Sequence, residues 1–135
     1  MKNKTLSAVE SFTGGLFCST IVNKPGASSY FLGGMITYNS NIKAKLGIDI
    51  SNGVINNEVA KQMAIKGREF FNSDFCVSFT GNAGPNSMEN KPVGLIYIAI
   101  NEEVWELNLK GTRNKIRALA VKFALKKLRE KGLQC

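Results

Sequence analysis

The sequence predicts an α/β domain, a mixed sheet covered by helices. Three observations predict it. Short apolar runs alternate with segments of helical period in the order β-α-β-α-α-β-β-β-α. The stretch from Val93 to Ile100 is continuously apolar, as a central strand buried on both faces requires. Three polar clusters, Ser11 to Gly15, Tyr38 to Lys43 and Thr80 to Pro85, each follow a predicted strand directly. Parallel strands would bring all three to one rim, where ligands of such sheets bind.

Each element has its own signature. Residues 4–9 read as a short buried strand, and Leu16, Phe17, Thr20 and Ile21 recur at helical spacing between Thr13 and Asn23. Asn23-Lys24-Pro25-Gly26 stops that helix. Gly34 to Tyr38 reads as the second strand, and Asn39-Ser40-Asn41 caps a short helix over Ile42 to Leu46 that Gly47 closes. Residues 47–55 read as a loop. Asn56 suits the N-cap of a helix running to about Phe71, with Gly67 either weakening it or permitting close packing. Phe75 to Phe79 is the third strand. Asn101-Glu102 predicts a hairpin turn into an edge strand, Val104 to Leu109. The last helix, about Thr112 to Lys131, sets Ile116, Leu119, Ala120, Phe123, Ala124 and Leu128 on one stripe.

Composition bounds the function. The 135 residues make a single domain, 1–135, and 44% hydrophobic residues supply a core. No signal-type segment and no apolar run of membrane-spanning length occurs, which points to a cytoplasmic setting without a membrane partner. The absence of histidine excludes His-based catalysis and His-ligated metal, and Cys18, Cys76 and Cys135 lack metal-ligand or disulfide spacing, so neither metal nor cofactor is expected. Net charge is +8, and nine of the 18 Lys and Arg fall between Lys110 and Lys131 against one acid, Glu130. That segment reads as a solvated helix face rather than a nucleic-acid stripe, because aromatics do not interleave with the charges.

The chemistry centres on Ala8-Val9-Glu10-Ser11-Phe12-Thr13-Gly14-Gly15. A strand, a tight turn and a helix start would lift the Ser11 hydroxyl out of the sheet and aim free helix amides at the same point. This is the layout of a nucleophile elbow without its G-x-S-x-G form; the alternative is an ordinary N-cap serine. Without histidine the base is sought among Lys, Tyr and carboxylates. Lys43, one turn into a capped helix near Tyr38, is placed for it, since enclosure beside helix N-termini favours the neutral amine. Lys45 fits the spacing equally well. Glu10 points to the opposite face, with a structural or lysine-orienting role. The substrate-binding set is read as Thr13, Gly14 and Gly15 from the first turn, Thr80, Gly81, Ala83 and Gly84 from the third cluster, and Arg113 as a phosphate ligand.

Five motifs then occur in order: Glu10-Ser11-Phe12-Thr13-Gly14-Gly15, Pro25-Gly26-Ala27-Ser28, Gly34-Met35-Ile36-Thr37-Tyr38, Thr80-Gly81-Asn82-Ala83-Gly84-Pro85 and Lys91-Pro92-Val93-Gly94. Together they resemble the C-terminal domain of the competence/damage-inducible protein CinA, the nicotinamide-nucleotide amidase family. The resemblance covers nearly the whole chain. It implies a three-layer α/β/α domain with a mixed, mostly parallel five-stranded sheet. It further implies metal-free hydrolysis of the carboxamide of an anionic nucleotide, nicotinamide mononucleotide, to nicotinate mononucleotide and ammonia. Ser11 takes the place of the nucleophile, Lys43 of the general base and Tyr38 of the tyrosine beside it, which decides between Lys43 and Lys45. Three departures stand out. Phe12 replaces a customary cysteine, Asn82 a customary aliphatic residue, and Asn86-Ser87-Met88-Glu89 lacks the customary glycines. The family's N-terminal helix is missing or shortened here. The leading reading is an amidohydrolase, against a catalytically impaired nucleotide-binding module or a basic nucleic-acid-binding protein. A sheet face left partly bare by the shortened helix implies a homo-oligomer, to be read as a mass above the monomer's by light scattering at working concentration.

Overall fold

The computed structural model describes residues 4–135. Its elements are β1 (Leu6–Glu10), α1 (Leu16–Val22), a 3-10 turn (Ala27–Ser29), β2 (Phe31–Ile36), α2 (Ser40–Lys45), α3 (Asn57–Phe71), β3 (Phe75–Gly81), β4 (Leu95–Ile100), β5 (Glu103–Asn108) and α4 (Arg113–Glu130). The five strands form one sheet in the order β2-β1-β3-β4-β5. β1 pairs in parallel with both β2 and β3, while β4 and β5 join antiparallel.

Side chains alternate across the central strands, and each set meets its own helical layer. Leu6, Ala8, Val77, Phe79, Ile96 and Ile98 pack with Phe17 and Ile21 of α1 and with Ile116, Ala120 and Ala124 of α4. Val9 and Cys76 pack on the other face with Val59 and Met63 of α3, and Ala99 with Ala60 and Ala64. The result is a three-layer α/β/α sandwich. The α3 face also holds buried hydroxyls, each with a partner: Ser7 Oγ lies 2.7 Å from Ser73 Oγ, and Ser78 Oγ donates to the Ala60 carbonyl at 2.6 Å.

Local chemistry sets the boundaries. Asn56 accepts from the Val59 amide at 2.8 Å and Thr112 from that of Lys115 at 3.3 Å, so α3 and α4 start where the caps predict. α1 starts three residues later than its pattern suggests, because Gly14 (φ +58°) and Gly15 (φ +99°) hold left-handed conformations that no helix contains. β2 starts three residues earlier than predicted and ends two earlier, at Ile36; the carbonyls of Thr37 and Tyr38 accept from a side chain instead of extending the strand. As the edge strand, β2 leaves Leu32 and Ile36 about half exposed, and the bare part of the sheet lies there. Among the described residues no helix is long and apolar enough to cross a membrane.

Gly67 marks close packing rather than a weak helix. A Cβ at that position would lie 2.5 Å from Val9 Cγ2 and 2.6 Å from Cys76 Sγ. Alanine gains about 1 kcal/mol of helix propensity over glycine, but overpacking a rigid core costs roughly 1–3 kcal/mol. Gly67→Ala is therefore expected to lower stability by about 1 kcal/mol in urea unfolding, opposite in sign to an exposed helical glycine.

Candidate active site

Because β1, β2 and β3 run parallel, Glu10, Ile36 and Gly81 end at the same rim. The segments that follow converge on a cleft of about 120 Å³. Ser11, directly after β1, is buried at 8% exposure. Lys43 extends from α2 and is more deeply buried, at 1%. Its Nζ lies 2.8 Å from Ser11 Oγ and donates to the Thr37 carbonyl at 2.5 Å and the Tyr38 carbonyl at 3.3 Å.

Burial pushes the Lys43 amine down from 10.5 to about 8, opposed by the negative charge of Glu89. The three contacts suit both protonation states. An ammonium donates all three protons. A neutral amine donates two to the carbonyls and turns its lone pair to the Ser11 hydroxyl. Lys45, the equal of Lys43 by spacing, is exposed.

The elbow is built differently from its sequence reading. Ser11 is not the N-cap of α1; Gly15 holds that position without a side-chain cap. Glu10 supplies the missing acceptor. Its carboxylate is fully buried and accepts from the amides of Gly15 (3.1 Å), Phe17 (3.0 Å) and Cys18 (2.9 Å). This is the structural role; Glu10 makes no bond to Lys43. The helix amides expected to face the hydroxyl are thus occupied by Glu10, and the Gly14 amide donates to the Ser11 carbonyl at 3.0 Å. Gly14 and Gly15 shape the turn instead of binding through it. Thr13 is wholly buried and does not line the cleft. The amides of Phe12 and Ala83, residues that do line it, have no acceptor among the described residues.

Arg117 was not singled out by sequence. Its guanidinium donates to the carbonyls of Phe12 (3.1 Å, Nε) and Thr13 (2.8 Å, Nη2), clamping the elbow from α4. Its spacing of four from Arg113, one helical turn, was the available signal. Arg113 lines the cleft, donating to the Gly84 carbonyl and, at 3.1 Å, to the Tyr38 hydroxyl. Tyr38 is 59% exposed, and its phenol meets Arg113, not Ser11 or Lys43. Its link to the pair is its main-chain carbonyl, so the tyrosine expected beside the base meets it through the backbone and not through the phenol.

On the opposite wall stand Thr80, Gly81 and Ala83, as read from sequence; Gly84 contributes its carbonyl to Arg113 but does not line the cleft. The buried Asn82 closes this loop, accepting from the Gly84 amide at 2.9 Å and donating to the Asn86 carbonyl at 2.9 Å. Phe12 packs edge-on to Phe79, with centroids 6.5 Å apart. Ser40, Val54 and Met88 complete the lining and were not read as site residues. Among the described residues no group of three or more Cys, Asp or Glu is placed to hold a metal ion.

Fold and site together define a three-layer α/β/α domain with a serine–lysine pair enclosed at the carboxyl ends of its parallel strands. The CinA C-terminal domain model matches residues 1–131, and the chain belongs to that family. It is 42% identical over 136 residues to the CinA-like protein of Sulfurihydrogenibium sp. (strain YO3AOP1), covering 93% of this chain and 34% of that protein. The chain spans about a third of the length of the relatives it matches. The competence/damage inducible protein CihA of Agrobacterium tumefaciens has a similar structure, with a TM-score of 0.87 at 31% identity over 95% of this chain and 85% of that one. A competence damage-inducible protein A from Klebsiella pneumoniae shares the fold at 22% identity, with a TM-score of 0.92 over 96% and 86% of the two chains.

The Glu10 carboxylate offers acceptors on both oxygens, whereas a glutamine would turn two donors toward one of the amides. Glu10→Gln is expected to destabilise the domain by roughly 1–3 kcal/mol in urea unfolding, the range for leaving a buried donor unsatisfied.

Proposed function

We propose that the domain is an amidohydrolase that converts nicotinamide mononucleotide to nicotinate mononucleotide and ammonia through a Ser11–Lys43 mechanism. The observation that carries this reading is the 2.8 Å contact between a buried amine and a buried hydroxyl in a chain without histidine. A serine is a weak nucleophile unless a neighbouring base takes its proton, and lysine does so only when neutral. About a tenth of the Lys43 side chains are neutral at pH 7 when the amine titrates near 8.

In this mechanism Lys43 takes the Ser11 proton as Oγ bonds to the carboxamide carbon. The oxyanion accepts from the open amides of Phe12 and Ala83, donors that are each worth about 3 kcal/mol in related acyl transfers. The Lys43 ammonium returns its proton to the departing nitrogen, the C–N bond breaks and ammonia leaves an acyl ester on Ser11. Lys43 then deprotonates a water that attacks the same carbon, freeing the acid and the hydroxyl.

Arg113 at the cleft mouth is the phosphate ligand of this reading, exchanging the Tyr38 hydroxyl and Gly84 carbonyl for phosphate oxygens. The nucleic-acid alternative has less to draw on. Arg117 holds the elbow, Arg129 donates to the Cys135 carbonyl, and Lys127 and Lys131 pair with Glu130 and Glu103. A cytoplasmic setting, which keeps Cys18, Cys76 and Cys135 as free thiols, agrees with the reading.

The test is ammonia release from nicotinamide mononucleotide. Ser11→Ala and Lys43→Ala are each expected to lower kcat/KM by at least about a thousandfold, as loss of a catalytic group does in comparable enzymes. Wild-type turnover by Ser11→Ala overturns the mechanism. Because the neutral amine is the active form, kcat/KM should rise tenfold per pH unit below about 8 and level off above it. A profile flat between about pH 6 and 9 removes Lys43 as the base.

A further inference from the structure

The stretch after Pro85 is Asn86-Ser87-Met88-Glu89-Asn90-Lys91, with no glycine in it. It folds as a small hairpin of its own. The Lys91 amide donates to the Met88 carbonyl at 2.8 Å and the Met88 amide to the Lys91 carbonyl at 3.4 Å. The two turn residues, Glu89 and Asn90, sit at φ +55° and +58°. That is the backbone twist a two-residue hairpin prefers. Asparagine tolerates it, whereas a glutamate at positive φ is uncommon and needs outside support.

The support comes from the loop between α2 and α3. The Glu89 carboxylate accepts from the amides of Val54 (2.9 Å) and Ile55 (3.1 Å), and Lys91 Nζ donates to the Ile55 carbonyl. Gly53 leaves the space, since a Cβ there would lie 2.6 Å from Glu89 Oε1. The hairpin is therefore tied at two points across Val54–Ile55, and Val54 and Met88 both line the cleft that holds Ser11 and Lys43. The enclosed volume of about 120 Å³ falls far short of the roughly 300 Å³ at which sites begin to surround a drug-sized ligand. A carboxamide seated there would leave its ring against Met88, which lines the cleft.

We propose that the 86–91 hairpin is a specificity strap: Glu89, a positioning residue, pins Met88 at the cleft so that it admits the carboxamide of one flat ring and excludes that of a fused bicyclic ring. The proposal rests on the amidase reading for the kind of group that enters, but not on turnover.

The test is binding of nicotinamide and of quinoline-3-carboxamide to the full chain, followed by protein chemical shifts on titration. Wild type is expected to prefer nicotinamide by about tenfold, the scale on which an apolar wall discriminates by size. Met88→Ala and Glu89→Ala should each reduce that preference to about twofold, chiefly by admitting the bicyclic amide. Glu89→Gln, which keeps one acceptor oxygen, should restore part of it. Glu89 lies outside the cleft lining, so a purely structural role for it leaves the preference unmoved, and its variants decide the question should Met88→Ala not fold. Three results overturn the proposal: wild type that binds neither amide, wild type that binds both alike, or a Glu89→Ala protein that keeps the full preference. Intact preference without ammonia release removes the amidase function and leaves the strap standing.

Discussion

A single buried amine at the wall of the cleft governs this site. Lowering the Lys43 side chain from 10.5 to about 8 corresponds to about 3 kcal/mol of penalty on the ammonium. The negative charge of Glu89 opposes that shift, and the carbonyls of Thr37 and Tyr38, just past the end of β2 at Ile36, accept from the amine. The sign of the linkage follows. Between about pH 8 and 10.5 the unfolded chain keeps a proton that the folded chain has released, so Lys43 contributes growing stability as pH rises through that window. The same burial that weakens the fold at neutral pH makes the amine a base.

The turn bearing the nucleophile is held from two sides. Glu10 takes three amides at the start of α1 from beneath, and Arg117 takes two carbonyls of the turn from α4. Opposite charges thus engage opposite ends of the peptide dipoles in one short segment. Neither the Glu10 carboxylate nor the Arg117 guanidinium hydrogen-bonds to Ser11 itself. The three-residue stretch of Phe12, Thr13 and Gly14 keeps its shape without belonging to a helix or strand.

Much of this was legible in the sequence because it rests on short-range rules. Asn56, Thr112 and Asn39 cap the helices they precede, and the apolar runs of β1 and β4 are buried throughout, that of β3 at all but its two ends. The meeting of the three polar clusters followed from strand direction, and the choice of Lys43 over Lys45 from the family resemblance. What stayed hidden depends on long-range partners. The direction of the Glu10 carboxylate, the reach of Arg117 across more than a hundred positions and the seat of Glu89 on the Val54 amide have no local pattern. Tyr38 shows the converse: its position beside Lys43 was right, yet an exposed phenol bonded to Arg113 leaves the carbonyl as the atom that matters. Charge counting alone also misjudged the last helix, since two of its three arginines, Arg117 and Arg113, serve the elbow and the cleft mouth.

The clamp from α4 also has a temporal meaning. Synthesis delivers Ser11 and Lys43 before the guanidiniums that hold the elbow and the mouth, which lie on a helix whose inner stripe must first dock beside Phe17 and Ile21. A nascent chain emerging from the ribosome therefore carries nucleophile and base before it carries a finished site, and domains that mature this way become competent only once they are whole.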